Sequence, residues 1–171
     1  MKVKTLLVSM ALLTVSAAVT AQDGAKIGIV DADNVIQQSK KGKAFFEEFQ
    51  AFQQSKREEI DRLVEAYREA EKALQAQAAA LSEDASRERQ AELQRKQNEI
   101  KRAQEDAQRE SSTRLQDKLE EFRKELIPLV RQVALERGLD LVMNLGPNSN
   151  LVYINERIDI TDDVLRKYDQ Q

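Results

Sequence analysis

The chain has 171 residues with 27 basic and 30 acidic side chains, and it contains neither Cys nor His. Without those two residue types there is no thiol nucleophile, imidazole base or ordinary transition-metal site, and a net acidic chain is a poor match for phosphate backbones. No Gly-rich phosphate loop stands in the sequence, and its many Asp and Glu residues lie along charged helical stretches. The expectation is therefore no enzyme activity, no cofactor and no nucleic-acid partner.

Lys2 and Lys4 precede a mostly apolar run, Leu6 to Val19, and Ala21 offers a small residue where a processing enzyme would cut. That three-part layout predicts a signal peptide over 1–21, with the mature chain starting at Gln22. The run is shorter than the ~18 residues a spanning helix needs, and no other stretch is apolar enough, so no stable membrane insertion is expected. With no Cys, a lipid anchor is excluded. The mature 150 residues carry 25 basic and 30 acidic groups, a net −5.

Lys26 to Val30 reads as a short apolar strand. From about Asn34 to Arg137 the composition is dominated by Ala, Gln, Glu, Lys, Arg and Leu, strong helix formers, with only Gly42 near one end and Pro128 near the other. Ile60, Tyr67, Leu74 and Leu81 recur at heptad spacing, as do Leu93, Ile100 and Ala107, the seam pattern of a coiled coil. The eight-residue step from Ala107 to Leu115 predicts a stutter near Ser111. Ser82, followed by Glu83 and Asp84, can cap a new helix, so the chain is predicted to fold back with a tip near 82–86.

Residues facing each other across an antiparallel hairpin have a constant index sum, here about 167. It pairs Leu74 with Leu93, Tyr67 with Ile100, Val64 with Ala103, Ile60 with Ala107, Phe52 with Leu115 and Phe45 with Phe122. The seam is thin, because Lys56, Gln77, Gln97 and Gln104 occupy or border it. Pro128 lacks an amide donor and predicts a kink near Leu126–Pro128, and Gly138 suits the left-handed residue that ends a helix.

Beyond Gly138, Leu139 to Leu145 reads as a strand, Gly146 to Asn150 as a loop, and Leu151 to Ile154 as the return strand of a hairpin. Thr161 is predicted to cap a last short helix through Leu165. The fold class is thus α+β: a long antiparallel helical hairpin, residues 40–126, inserted in a small β-rich head of 22–39 and 127–171. Three short strands make a marginal core with open edges, so self-association is expected through Ile27, Ile29, Leu141, Met143, Val152 and Ile154.

Three segments carry a family likeness: Ile27 to Asp31, Glu136 to Val142, and Ile158 to Leu165. With Pro128 and the intervening arm, the mature chain resembles the Skp/OmpH family of periplasmic chaperones. The resemblance implies a jellyfish-like homotrimer whose arms surround a cavity and hold unfolded outer-membrane proteins in the periplasm without ATP. Well-known members have basic arms, whereas residues 40–125 here carry 19 basic and 20 acidic groups. Strong electrostatic capture and lipopolysaccharide binding are therefore not expected. Phe45, Phe49 and Phe52 project toward the seam, which leaves Phe46 and Val64 as candidates for client contact. The alternative reading is a periplasmic coiled-coil spacer or adaptor that docks a partner through its tip, Ala78 to Leu81; a carboxylate-based hydrolase is a third.

Overall fold

A computed structural model describes residues 24–146 and 149–171. The expected signal peptide, and Pro147 and Asn148 of the expected loop, lie outside them. The elements are β1 (Ile27–Val30), α1 (Ala32–Gln38), α2 (Lys40–Gln77), α3 (Glu83–Arg137), β2 (Leu141–Asn144), a 3-10 turn at Glu156–Ile158, and α4 (Thr161–Tyr168). Among the described residues no helix is long and apolar enough to cross a membrane.

α2 and α3 pack against each other as a hairpin. α2 ends at Gln77, and Ser82 starts α3 by accepting a hydrogen bond from the Ala85 amide at 3.3 Å, with Glu83 and Asp84 in the first turn. Phe45 and Phe122 meet edge to face at 5.8 Å, and Lys56 pairs with Glu110 at 2.9 Å, both keeping the predicted index sum within one. Ile60 and Ala107 border one crevice together with Lys56 and Gln104. Tyr67, Leu74, Leu93 and Ile100 are only half-buried, as two helices without a third must leave them. The turn itself occupies 78–81, slightly before the predicted tip.

α3 continues through Pro128 to Arg137, so one helix runs from the tip into the core. It ends as predicted. Gly138 sits at φ 63°, and the Leu139 amide reaches back to the Ala134 carbonyl at 2.8 Å, satisfying a carbonyl that the helix end would otherwise leave open.

β1 and β2 pair in parallel, with Ile27 opposite Leu141 and Ile29 opposite Met143. Parallel pairing follows from inserting a whole helical arm between them, which carries the chain back to the same end of the sheet. Two expectations fail here. Leu151 to Ile154 forms no strand, and no hairpin follows β2. The third extended piece instead joins the other edge of β1: Asp159 bridges Ile29, and the Ile160 amide donates to the Ile29 carbonyl at 2.8 Å. Nor is the head β-rich. Its core is mostly helical: Val35 and Ile36 of α1, Phe45 of α2, Phe122, Leu126, Leu129 and Val133 of α3, and Val164 and Tyr168 of α4 surround Val30 and Ile160. Two four-residue strands are too short to bury a core alone, and the ends of the long helices complete it.

Thr161 has a different task from the cap predicted. Its hydroxyl accepts from the Asp31 amide at 2.9 Å, tying α4 to the start of α1, while Asp159 accepts from the Thr161 amide at 2.8 Å.

Candidate functional site

With no Cys or His in the chain and no metal-binding cluster among the described residues, the surfaces available for function are those of the arm and the head. The base of the arm carries a ladder of rings. Phe45 contacts Phe46 at 5.3 Å and stacks on Phe49 at 5.7 Å, and Phe49 stacks on Phe52 at 6.4 Å. Heptad-like spacing puts Phe45, Phe49 and Phe52 on one face of α2, and α3 offers Leu115, Leu119 and Phe122 across the seam.

Cations cover these rings. The Arg114 guanidinium lies 5.0 Å from the centre of the Phe52 ring, with Lys56 at 5.6 Å, and Lys118 lies 5.1 Å from that of Phe122. Beside them lies an open groove of about 750 Å³, lined by Phe45 and Phe52 and by Glu48, Arg114, Asp117 and Lys118. Most rim charges are matched: Arg114 faces Glu48 at 3.8 Å, and Lys118 bonds Glu121 at 2.8 Å. The groove sets rings that cations partly cover inside a nearly neutral border, suited to many weak contacts rather than one strong polar one.

The two client-contact candidates are not brought together. Phe46 is half-buried against the head core, whereas Val64 is half-buried far out on the arm. Eighteen residues of helix separate them, about 27 Å at 1.5 Å per residue. The ring ladder and its groove lie nearer the head.

The self-association candidates divide. Ile29 is 3% exposed and already buried inside its own chain. Ile27 and Leu141, paired across the sheet, are exposed, as is Met143, while Val152 is fully exposed and Ile154 half-buried. Sequence reasoning missed Ile127, Leu135 and Tyr153, which are also exposed large apolar groups. A signal for the first two was present. From Leu126 to Leu135 the helix is apolar on more than one face: Leu126, Leu129 and Val133 fill the core, and Ile127 and Leu135 are left outside. A cleft of about 650 Å³ opens there among Val30, Leu126, Ile127, Val130 and Val142.

At the junction of arm and head, the Tyr168 hydroxyl donates to Glu125 Oε2 at 2.6 Å, and Lys41 Nζ donates to the same oxygen at 3.1 Å. The Tyr168 hydrogen bond, followed by Lys41, holds the Glu125 carboxyl below the usual carboxylate range. Burial, reinforced by the bond to Glu125, pushes the Tyr168 phenol up.

A comparison with curated proteins finds no match by sequence. Among solved structures, a candidate outer membrane chaperone (OmpH-like) from Caulobacter crescentus CB15 is similar, with a TM-score of 0.77 and 24% identity over 85% of each chain. At that identity the likeness speaks for the fold alone. The family described as outer membrane protein (OmpH-like) matches residues 26–168, strand, arm and head together, and the chain belongs to that family.

Proposed function

We propose that this chain is an ATP-independent holding chaperone of the periplasm. It assembles as a homotrimer through its head and keeps unfolded outer-membrane proteins apart in the space between its arms. The carrying observation is the arm. From Phe46 to Glu121 no side chain is fully buried, yet half-buried apolar groups run the whole length and rings line an open groove at its base. A surface of that kind binds many apolar segments weakly and lets them go. Family membership supports the same reading. Exposed Ile27, Leu141, Met143 and Val152 support the head as the place of assembly, and the near-neutral arm speaks against lipopolysaccharide as a ligand.

The test is dilution of a urea-denatured outer-membrane β-barrel protein into buffer with the mature protein and no nucleotide, followed by light scattering. Wild type should keep the client soluble. Val152→Asp places a charge where the assembly would bury it, which commonly costs several kcal/mol, and should yield smaller species that protect poorly. Arms that act together have a high effective concentration, and separate arms lose it. A folded monomeric variant that protects as well as wild type would end the cavity mechanism. Failure of wild type to protect any client, with binding of one folded partner through Ala78 to Leu81, would put the adaptor reading in its place.

A further inference from the structure

The arm leaves the head on two helices, and neither is a stiff strut by itself. α3 is continuous, but Pro128 has no amide hydrogen to donate to the Lys124 carbonyl, so this helix is compliant just inside the core. α2 begins with Lys40, Lys41, Gly42 and Lys43 and has no acidic residue in its first turn. Three cations stand at the positive end of its backbone dipole, the unfavourable arrangement. Ser39 caps α2 as Ser82 caps α3, but only α3 adds acidic residues, Glu83 and Asp84, in its first turn.

What α2 lacks is brought by the end of α4, some 129 residues away in sequence. Asp169 Oδ1 accepts from the Lys40 amide at 2.9 Å. Tyr168, 1% exposed, donates its hydroxyl to Glu125 on α3, and Glu125 also takes the ammonium of Lys41 from α2. The Tyr168 ring lies 5.1 Å beneath the same ammonium. Buried Ser39 completes the root by accepting from the Gly42 amide at 3.0 Å. Gly42 must be Gly, because a Cβ there would stand 1.6 Å from the Ile36 carbonyl oxygen. α4 is itself anchored to α3 through Lys167–Glu136 and Arg137–Asp163 and through the buried Val164.

We propose that Tyr168 and Asp169 are positioning residues for the arm: they fix the direction in which the hairpin leaves the head by supplying the acidic acceptor and the cross-helix bond that α2 lacks in its own first turn. The lever makes this consequential. α2 is 38 residues long, about 57 Å, so about 5° of freedom at the root moves the far end by about 5 Å. The two residues touch no client, and their action on capture, through the spacing of the arms, rests on the chaperone reading above.

The chain has no Cys, so spin labels can be placed at will. Labels at Gln75→Cys on α2 and Asn34→Cys, an exposed position on α1 beside the root and off the line of the arm, in protein diluted with unlabelled chain, report the direction of the arm within one chain by pulsed electron paramagnetic resonance. Wild type should give a narrow distance distribution. Asp169→Ala and Tyr168→Phe should each broaden it. Asp169→Asn keeps the acceptor and should restore the narrow distribution, whereas Asp169→Leu keeps comparable bulk without an acceptor and should stay broad, which a role for bulk alone would not show. Lys40→Pro removes the donor together with one unfavourable cation, at a first helical position that tolerates Pro, leaves α4 untouched, and should broaden the distribution as Asp169→Ala does. Widths that stay at the wild-type value in Lys40→Pro and Tyr168→Phe overturn the proposal. Client protection by the same proteins separates the two readings. Wild type that protects no client removes the chaperone reading and leaves the distances standing, whereas broadened arms that protect as well as wild type overturn the link to capture.

Discussion

The root of the arm and its outer length are built from the same two helices and obey different rules. At the root, Phe45, Phe122, Leu126, Leu129 and Val133 are buried with α1 and α4 packed around them. Beyond it, from Phe46 to Glu121, two helices have only each other, and nothing is fully buried. The difference teaches where the stability resides. A third and fourth helix turn a half-covered seam into a core, so the head holds the fold while the arm remains free to change its contacts.

Large-to-small substitutions should separate the two regions most strongly. Phe122 is 1% exposed and packs on Phe45, so Phe122→Ala should cost about 3–5 kcal/mol by lost transfer and cavity. That is a large part of the ~5–15 kcal/mol available to a domain of this kind. Ile100→Ala, on the half-buried seam, should cost only about 1 kcal/mol. Urea unfolding of the two variants measures both. Equal costs would mean that the arm and the head form one cooperative unit, and the contrast would be lost. Amide exchange gives the same comparison without mutation: amides of residues 122–133 should exchange far more slowly than those of residues 60–107.

The same contrast marks what could be read in the sequence. The hairpin was legible because its apolar residues must interdigitate at a fixed index sum, which Phe45–Phe122 and Lys56–Glu110 obey. Caps that act within four residues, Ser82 and Gly138, were legible for the same reason. The head was not. Leu151 to Ile154 has strand composition, but composition does not choose a partner, and the edge of β1 is taken by Asp159 instead. Thr161 looks like a local cap and serves a distant amide. The root contacts join residues 43 to 129 apart, and their one local trace was a helix beginning with three lysines and no acid.

A smaller effect is expected from pH, and it belongs to the root. Glu125, held low by the Tyr168 hydroxyl and then by Lys41, adds stability above the ordinary carboxylate range that is lost as pH falls through its folded value. Tyr168, pushed up by burial, adds stability below the ordinary phenol range that is lost as pH rises through its folded value. Lys41 and Lys118 face Glu125, and Glu121 and Asp169 bear on Tyr168. The Glu125 side chain is 31% exposed, so its share should stay within about 1 kcal/mol. Glu125→Gln should make the fall of the melting temperature on the acid side shallower. An unchanged acid limb would place that dependence elsewhere among the carboxylates.

The smallest expected effect is that of salt on client capture, and it tests the arm's surface rather than its root. The arm carries 19 basic and 20 acidic groups over residues 40–125, and the ion pairs along it are exposed. Lys101–Glu105, Lys124–Glu120 and Arg89–Glu92 join neighbours on a single helix and present no field of one sign to a client. Capture by such a surface depends on apolar contact. It should change by less than about threefold when the screening length falls from roughly 30 Å to about 8 Å between low and physiological ionic strength. Apolar side chains of the arm carry the opposite expectation. Phe46→Ala and Val64→Ala should each weaken capture by no more than a buried apolar side chain contributes, about 1–3 kcal/mol, because many contacts share the client. Light scattering of an aggregating client across salt concentrations, with wild type and both variants, places the two effects on one scale. A salt effect larger than either substitution would move the binding surface from the apolar groups to the charged rim of the groove, and Arg114→Gln, which removes one of the two cations over Phe52, would then weaken capture, whereas capture by apolar contact leaves it little changed.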